Sequence, residues 1–234
     1  MINLKQLKNK LNRLADKKQA AILAGFFKTG EGQYGAGDIF LGIKVPVQRK
    51  VAREFENLSL ADLQELLNNK IHECRLIALL ILLSQYKKTA DKDKKKFVDF
   101  YLKNTKNINN WDLVDLSCPN ILGDYLLDKP RQILYKLAKS KNLWEKRISI
   151  ISTFALIRQK EYNDTIKISE ILLNDRHDLI HKAVGWMLRE VGKRDQKILE
   201  NFLQKHYKIM PRVMLRYAIE KFSINKRRKY LNKK

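Results

Sequence analysis

The sequence predicts an all-α solenoid, a superhelix of stacked helix pairs with a concave basic face. Three observations predict it. Apolar residues recur three and four apart along most of the chain, and the period-two alternation of a strand is absent. Apolar-rich helices return every 35 or 36 residues, marked by Arg75, Trp111, Arg147, Lys182 and Tyr217. Stacked units of that length bury a common core and set equivalent helices side by side. The 234 residues are 44% hydrophobic, which suffices for a core, yet the formal net charge is +23. Such a charge calls for a polyanionic partner, nucleic acid first. A generally lysine-rich proteome is the alternative source of much of that excess.

Residues 3 to 27 read as helix in two stretches, with Leu4, Leu7, Leu11 and Leu14 on one stripe. Thr29 to Asp38 is glycine-rich. Gly30, Gly32 and Gly35 match GxGxxG, but a dinucleotide cradle needs a strand before it and a helix opening at it. A helix precedes and a loop follows here, so the segment reads as a flexible loop. Leu41 to Arg49 turns into a helix with Pro46 in its first turn, and Lys50, Arg53 and Glu56 form its solvated face. Ser59 caps a helix over Leu60–Asn69, and His72–Tyr86 is apolar enough to be buried on most sides. Lys87–Lys96 is a charged break. Asn109 and Asn110 suit the N-cap of a helix beginning at Trp111. Further helices follow from Pro130, over Leu143–Gln159, Asn163–Leu173, Asp178–Lys193 and Gln196–Tyr207, and a last long one from Pro211. The reading is one domain over 1–234, with 225–234 a solvated basic tail around Lys226-Arg227-Arg228-Lys229.

Cys74 and Cys118 lack CxxC spacing, so both are expected reduced and partly buried. Met1–Lys5 is amphipathic without a signal-peptide core, and no apolar run reaches the ~18 residues of a membrane span. A cytoplasmic, nucleoid-associated monomer that avoids membranes is the expectation.

Chemistry concentrates at two tryptophans. Trp111 and Asp115 share a helical face at i, i+4, while Asp112 lies in the first turn, where the helix dipole alone accounts for it. Asp115 sits among Leu113, Val114 and Leu116, where a carboxylate is costly unless paired. The plain reading makes Trp111 core and pairs Asp115 with an arginine. The repeat then sets Trp111, Arg147 and Lys182 in a row and brings Asp115 near Ile151 and Trp186. Trp186, Arg189 and Lys193 share a face as well. Two indoles and a carboxylate stabilise positive charge. That suits loss of a cationic leaving group, such as an N-alkylated purine, from a sugar that becomes oxocarbenium-like. Asp115 would stabilise that charge and orient a water.

Three segments carry a resemblance: Asn110-Trp111-Asp112-Leu113-Val114-Asp115, Trp144-Glu145-Lys146-Arg147-Ile148, and His181 to Glu190. They resemble the signature segments of the AlkD-type DNA alkylation-repair glycosylases, and the likeness spans about Phe40 to about Arg216. The resemblance implies HEAT-like helical repeats and removal of N3- and N7-alkylated purines from duplex DNA. It implies Trp111, Trp186 and Asp115 as the catalytic set and Arg147 as a phosphate ligand. It also implies a base left in the stack rather than flipped, which tolerates bulky adducts. No cofactor is implied. Two departures stand out: the Gly30–Asp38 loop is longer than in the best-known members, and Lys44 replaces a neutral amide found in some of them. The candidate DNA contacts are Arg147, Arg189, Lys193, Arg194, Arg216 and Lys44.

Other readings are weaker. His177 and His181 are spaced for a metal, but Asp178 replaces the glutamate of HExxH and no third ligand is evident. His72 and His206 read as isolated packing or surface residues. A non-catalytic HEAT-like scaffold for nucleic acid or protein explains the charge and the repeat equally well. It leaves Asp115, a carboxylate facing a polyanion, without a reason.

Overall fold

Three-and-four spacing winds the chain into helices wherever it occurs. The computed structural model describes residues 3–232, and among them no strand forms. The first two residues of the amphipathic N-terminus and the last two of the expected tail lie outside the described residues. The chain divides into two compact units, Met1–Leu113 and Val114–Lys234.

The first unit holds α1 (Leu4–Arg13), α2 (Lys17–Phe26), α3 (Val45–Glu54), α4 (Leu60–Leu67), α5 (His72–Lys88) and α6 (Lys95–Lys103). Helix α7 (Trp111–Ser117) begins in it. Short polar side chains start several of these helices. Asn3 with Gln6 and Ser59 with Asp62 close capping boxes, and Asp16 caps α2 through the amides of Lys18 and Gln19. Helix α5 packs against both α3 and α4 and is buried along most of its length, as its continuous apolar run predicts. It runs two residues beyond Tyr86, so the charged break begins later than expected.

The second unit holds α8 (Leu122–Tyr125), α9 (Gln132–Ala138), α10 (Leu143–Arg158), α11 (Asn163–Ile171), α12 (Asp178–Gly192), α13 (Gln196–His206), α14 (Arg212–Ala218) and α15 (Ile224–Asn232). Here the repeat is explicit. Helix α10 packs on α9 and α11, α12 packs on α11 and α13, and α10, α12 and α14 pack on one another in turn. Gly185 and Gly123 permit the closest approaches. A Cβ at Gly185 would lie 2.5 Å from the Met214 carbonyl oxygen, and one at Gly123 would lie 2.3 Å from that of Ser152. The all-α helical-repeat class therefore stands.

The C-terminus differs from the expectation. The helix from Pro211 is short, and the segment expected as a solvated tail forms α15. Tyr230 packs on Tyr207 and Phe222, Lys226 pairs with Glu200, and Arg212 donates to the Leu231 carbonyl. Apolar anchors among the cations supply the reason.

Candidate functional site

Helix α7 starts where the Asn110 side-chain oxygen accepts the Trp111 backbone N–H at 2.8 Å. One turn later comes Asp115, in the second unit. Arg147, in the first turns of α10, meets it with a two-pronged contact. Nε donates to Oδ1 at 2.8 Å and Nη2 to Oδ2 at 2.7 Å. Nη1 donates to the carbonyl of Leu179 on α12 at 2.6 Å. One guanidinium thus ties three helices, which its planar fork suits and an ammonium does not. Arg147 is 5% exposed, while the Asp115 side chain keeps 17%. The resemblance implies a phosphate ligand at Arg147; in the structure its guanidinium meets Asp115 and the Leu179 carbonyl, since a half-buried carboxylate in an apolar helix needs a partner.

Cys118 lies beside this pair. It is fully buried rather than partly so, and burial pushes its thiol well above the ordinary range, with the Asp115 charge adding to the effect. Trp186, on α12, is half-buried, with its ring 6.0 Å from that of Phe154. The Arg158 guanidinium covers Phe154 at 4.2 Å, and Arg194 approaches it at 5.9 Å. Lys182 pairs with Asp178 one turn away on its own helix.

The cations after Trp186 share one carboxylate. Glu190 is buried, and Lys193 and Arg194 both donate to it at about 3.0 Å. Arg189 lies 3.8 Å from it and pairs with Glu220. Burial pushes the Glu190 carboxyl up, but the hydrogen bonds from Lys193 and Arg194 outweigh it and leave the value lowered. Three of the expected DNA contacts are therefore partly neutralised by one another's partner. Lys44 and Arg216 are exposed, with no ion pair among the described residues.

The first unit carries a second cluster, built around Trp111. Its ring stacks on Phe27 at 5.4 Å and meets the edge of Phe26 at 5.9 Å, and its indole N–H donates to the Tyr34 hydroxyl at 3.3 Å. Phe27 stacks on Phe40 and lies against His72. His72, in the first turn of α5, is buried between two carboxylates, Asp112 at 2.8 Å and Asp38 at 3.3 Å. Arg75 lies 2.7 Å from the other oxygen of Asp38. Burial lowers the His72 value, but hydrogen bonds to Asp112 and Asp38 outweigh it and leave it raised above 6.5. Asp38 is lowered in turn, because His72 and Arg75 outweigh its burial.

This cluster corrects two expectations. His72 is not isolated, and Asp112 holds His72 as well as facing a helix dipole. A backbone bridge makes the pairing possible. Ile39 N–H donates to the Lys70 carbonyl, and His72 N–H donates to the Ile39 carbonyl, which lays Asp38 against the start of α5. Glu73, also buried, accepts the amides of Leu41, Gly42 and Ile43. The glycine loop is pinned, not slack. Gly35 donates to the Lys28 carbonyl, Asp38 is clamped, and Tyr34 reaches Trp111. The cluster had a signal in the sequence. His72, Glu73 and Arg75 open a helix that is otherwise apolar and buried, and polar groups there require partners.

His177 and His181 have local duties. His177 Nδ1 accepts the Leu179 N–H and caps α12, and His181 Nε2 lies 2.6 Å from the Asp175 carbonyl oxygen. Among the described residues no cluster of metal-ligating side chains forms.

The family model described as DNA alkylation repair enzyme matches residues 7–222. The chain belongs to the DNA alkylation repair enzyme family. Its place is in the repair of alkylated DNA, with DNA as the substrate. A solved structure described as a predicted DNA alkylation repair enzyme from Enterococcus faecalis has the same fold. The TM-score is 0.71 at 16% identity, over 90% of this chain and 97% of that one. A comparison with curated proteins finds no match. No described helix of this family member is long and apolar enough to cross a membrane.

Proposed function

We propose that the chain is a DNA N-glycosylase that hydrolyses the N-glycosidic bond of N3- and N7-alkylated purines in duplex DNA. One observation carries the reading. Asp115 is fixed from behind by both prongs of a buried Arg147, yet its carboxylate stays partly open. A preorganised anion of this kind stabilises positive charge that develops in the transition state. The C1′–N bond breaks with its electron pair leaving on the base, so a cationic purine departs neutral. The sugar becomes oxocarbenium-like beside Asp115, water adds at C1′, and the water's proton passes to the carboxylate or to solvent. Trp186, half-buried in the same unit as Asp115, offers a π face to the cationic base, a role that the resemblance also gives to Trp111. The cations around Glu190, with Lys44 and Arg216, serve the phosphates.

The test is release of free 7-methylguanine from methylated duplex. Asp115→Asn should lower release by about tenfold or more, about 1.4 kcal/mol of barrier, while duplex binding holds or tightens. Unchanged release would remove Asp115 from the mechanism. Tight duplex binding by the wild type with no release at all would favour a scaffold.

A further inference from the structure

The glycine-rich loop of the first unit carries one aromatic side chain, Tyr34, and its backbone is shaped to deliver it. Gly32 and Gly37 turn the chain with positive φ, 72° and 86°. Gly35 N–H donates to the Lys28 carbonyl at 3.1 Å, and a Cβ at Gly35 would lie 2.3 Å from the Phe27 carbonyl oxygen, so a side chain there would push the loop away. At the far end Asp38 is held by Arg75 and His72. Between these fixed points the Tyr34 hydroxyl oxygen accepts the indole N–H of Trp111, 77 residues away in sequence, at 3.3 Å.

Stacking and hydrogen bonding restrain different motions of an indole. Phe27, itself stacked on Phe40 at 5.1 Å and set against His72, lies 5.4 Å from the Trp111 ring at 27° and fixes the tilt of its plane. A stacked ring can still slide across its partner or flip about χ2. The bond to Tyr34 removes that freedom, because the N–H is the one polar handle of the ring. Orientation decides the sign of the interaction with charge: an aromatic face is negative and attracts a cation, while the edge is positive and repels it. Trp186, half-buried like Trp111, makes no indole hydrogen bond among the described residues. We propose that Tyr34 is a positioning residue for Trp111: its hydroxyl fixes the orientation in which the indole offers its face to the cationic base, and the loop glycines bring it there. This rests on the part that the proposed function gives to Trp111.

The experiment joins proton–nitrogen NMR of the full chain to single-turnover release of 7-methylguanine from methylated duplex. The three tryptophans give three indole N–H signals, assigned with Trp111→Phe, Trp144→Phe and Trp186→Phe. In the wild type the Trp111 indole N–H should exchange with solvent about tenfold more slowly than that of Trp186. Tyr34→Phe, which removes only the hydroxyl, should abolish that difference and shift the Trp111 signal upfield, with the other two unmoved. Release should slow about tenfold at unchanged duplex affinity, since a misplaced group costs rate rather than binding. In a Trp111→Phe background, which has no N–H to hold, Tyr34→Phe should slow release by less than about twofold further. Equal exchange of the two indoles in the wild type would overturn the proposal. So would unchanged release by Tyr34→Phe, or equal slowing in both backgrounds, which is what a merely structural tyrosine would give. The exchange comparison needs only the wild type, so it decides even where Tyr34→Phe does not melt cooperatively. A wild type that releases no 7-methylguanine would overturn the glycosylase reading instead, and exchange would still decide whether Tyr34 holds Trp111.

Discussion

Arg75 and Arg147 open the two long buried helices, one in each unit, and their charges end differently. Each donates Nη1 to a backbone carbonyl, that of Asn69 or of Leu179, and each pairs with an aspartate. Asp38, the partner of Arg75, is also held by His72 and keeps 4% exposure. Asp115, the partner of Arg147, takes both prongs of the fork and keeps 17%. The first device is closed on all sides and serves architecture: it locks the glycine loop and the start of α7 to α5. The second keeps its aspartate partly exposed, and under the proposed function that is the position from which a cationic transition state would be stabilised. The same chemistry, an arginine paired with an acid inside a helical repeat, is used once to hold shape and once, under the proposed function, to hold a charge ready.

The largest effect should come from breaking the second device. Arg147→Ala strands Asp115 and leaves the Leu179 carbonyl without its donor, at a cost of about 3 kcal/mol in urea denaturation. A loss under about 1 kcal/mol would mean that solvent already screens the pair, and the contrast with Arg75 would narrow.

The first device should be sensitive to pH where the second carries no histidine. The raised value of His72 means that its contribution is fully present below 6.5, the ordinary imidazole value, and is lost as pH rises through the higher folded value. Asp38 works oppositely: its lowered value contributes above 3.8 and is lost as pH falls through the folded value. Wild-type urea midpoints should therefore fall between about pH 6 and pH 9, and His72→Gln should lower the midpoint at pH 6 and flatten that decline, a change of about 1–2 kcal/mol. An equally steep decline in the variant would assign the titration to another group.

The smallest effect separates the units by their thiols. Cys74 belongs to the first and Cys118 to the second, and both are fully buried. Burial pushes Cys74 up to about 11, with the Glu73 charge adding to it. Neither should react with a thiol reagent near pH 8 until its surroundings open. His72→Gln should speed labelling of Cys74 more than that of Cys118, and Arg147→Ala should do the reverse. Equal acceleration of both thiols by either variant would show that the two units open together.

Much of this protein was legible along the chain because helices are local. Ser59 caps where its side-chain oxygen meets the amide three residues on, and Pro46 falls in a first turn. The start at Trp111, the burial of the helix from His72 and the recurrence through α10, α12 and α14 follow from spacing alone. Asp115 was conspicuous as a carboxylate in an apolar helix, and its need for an arginine was readable before its partner was.

Tertiary structure alone decided which charges meet. His72 and its two aspartates come from three separate stretches, and Asp115 finds Arg147 on another helix. It also decided that Glu190 collects cations expected to face outward, that Phe27 links Trp111 to His72, and that the basic C-terminal segment folds back as α15 on Tyr207 and Phe222. The physical reason is range. Helix formation and capping are settled within about four residues of backbone. A buried charge is satisfied by whatever opposite group the packing brings within hydrogen-bond reach, and periodicity carries no record of which one that is.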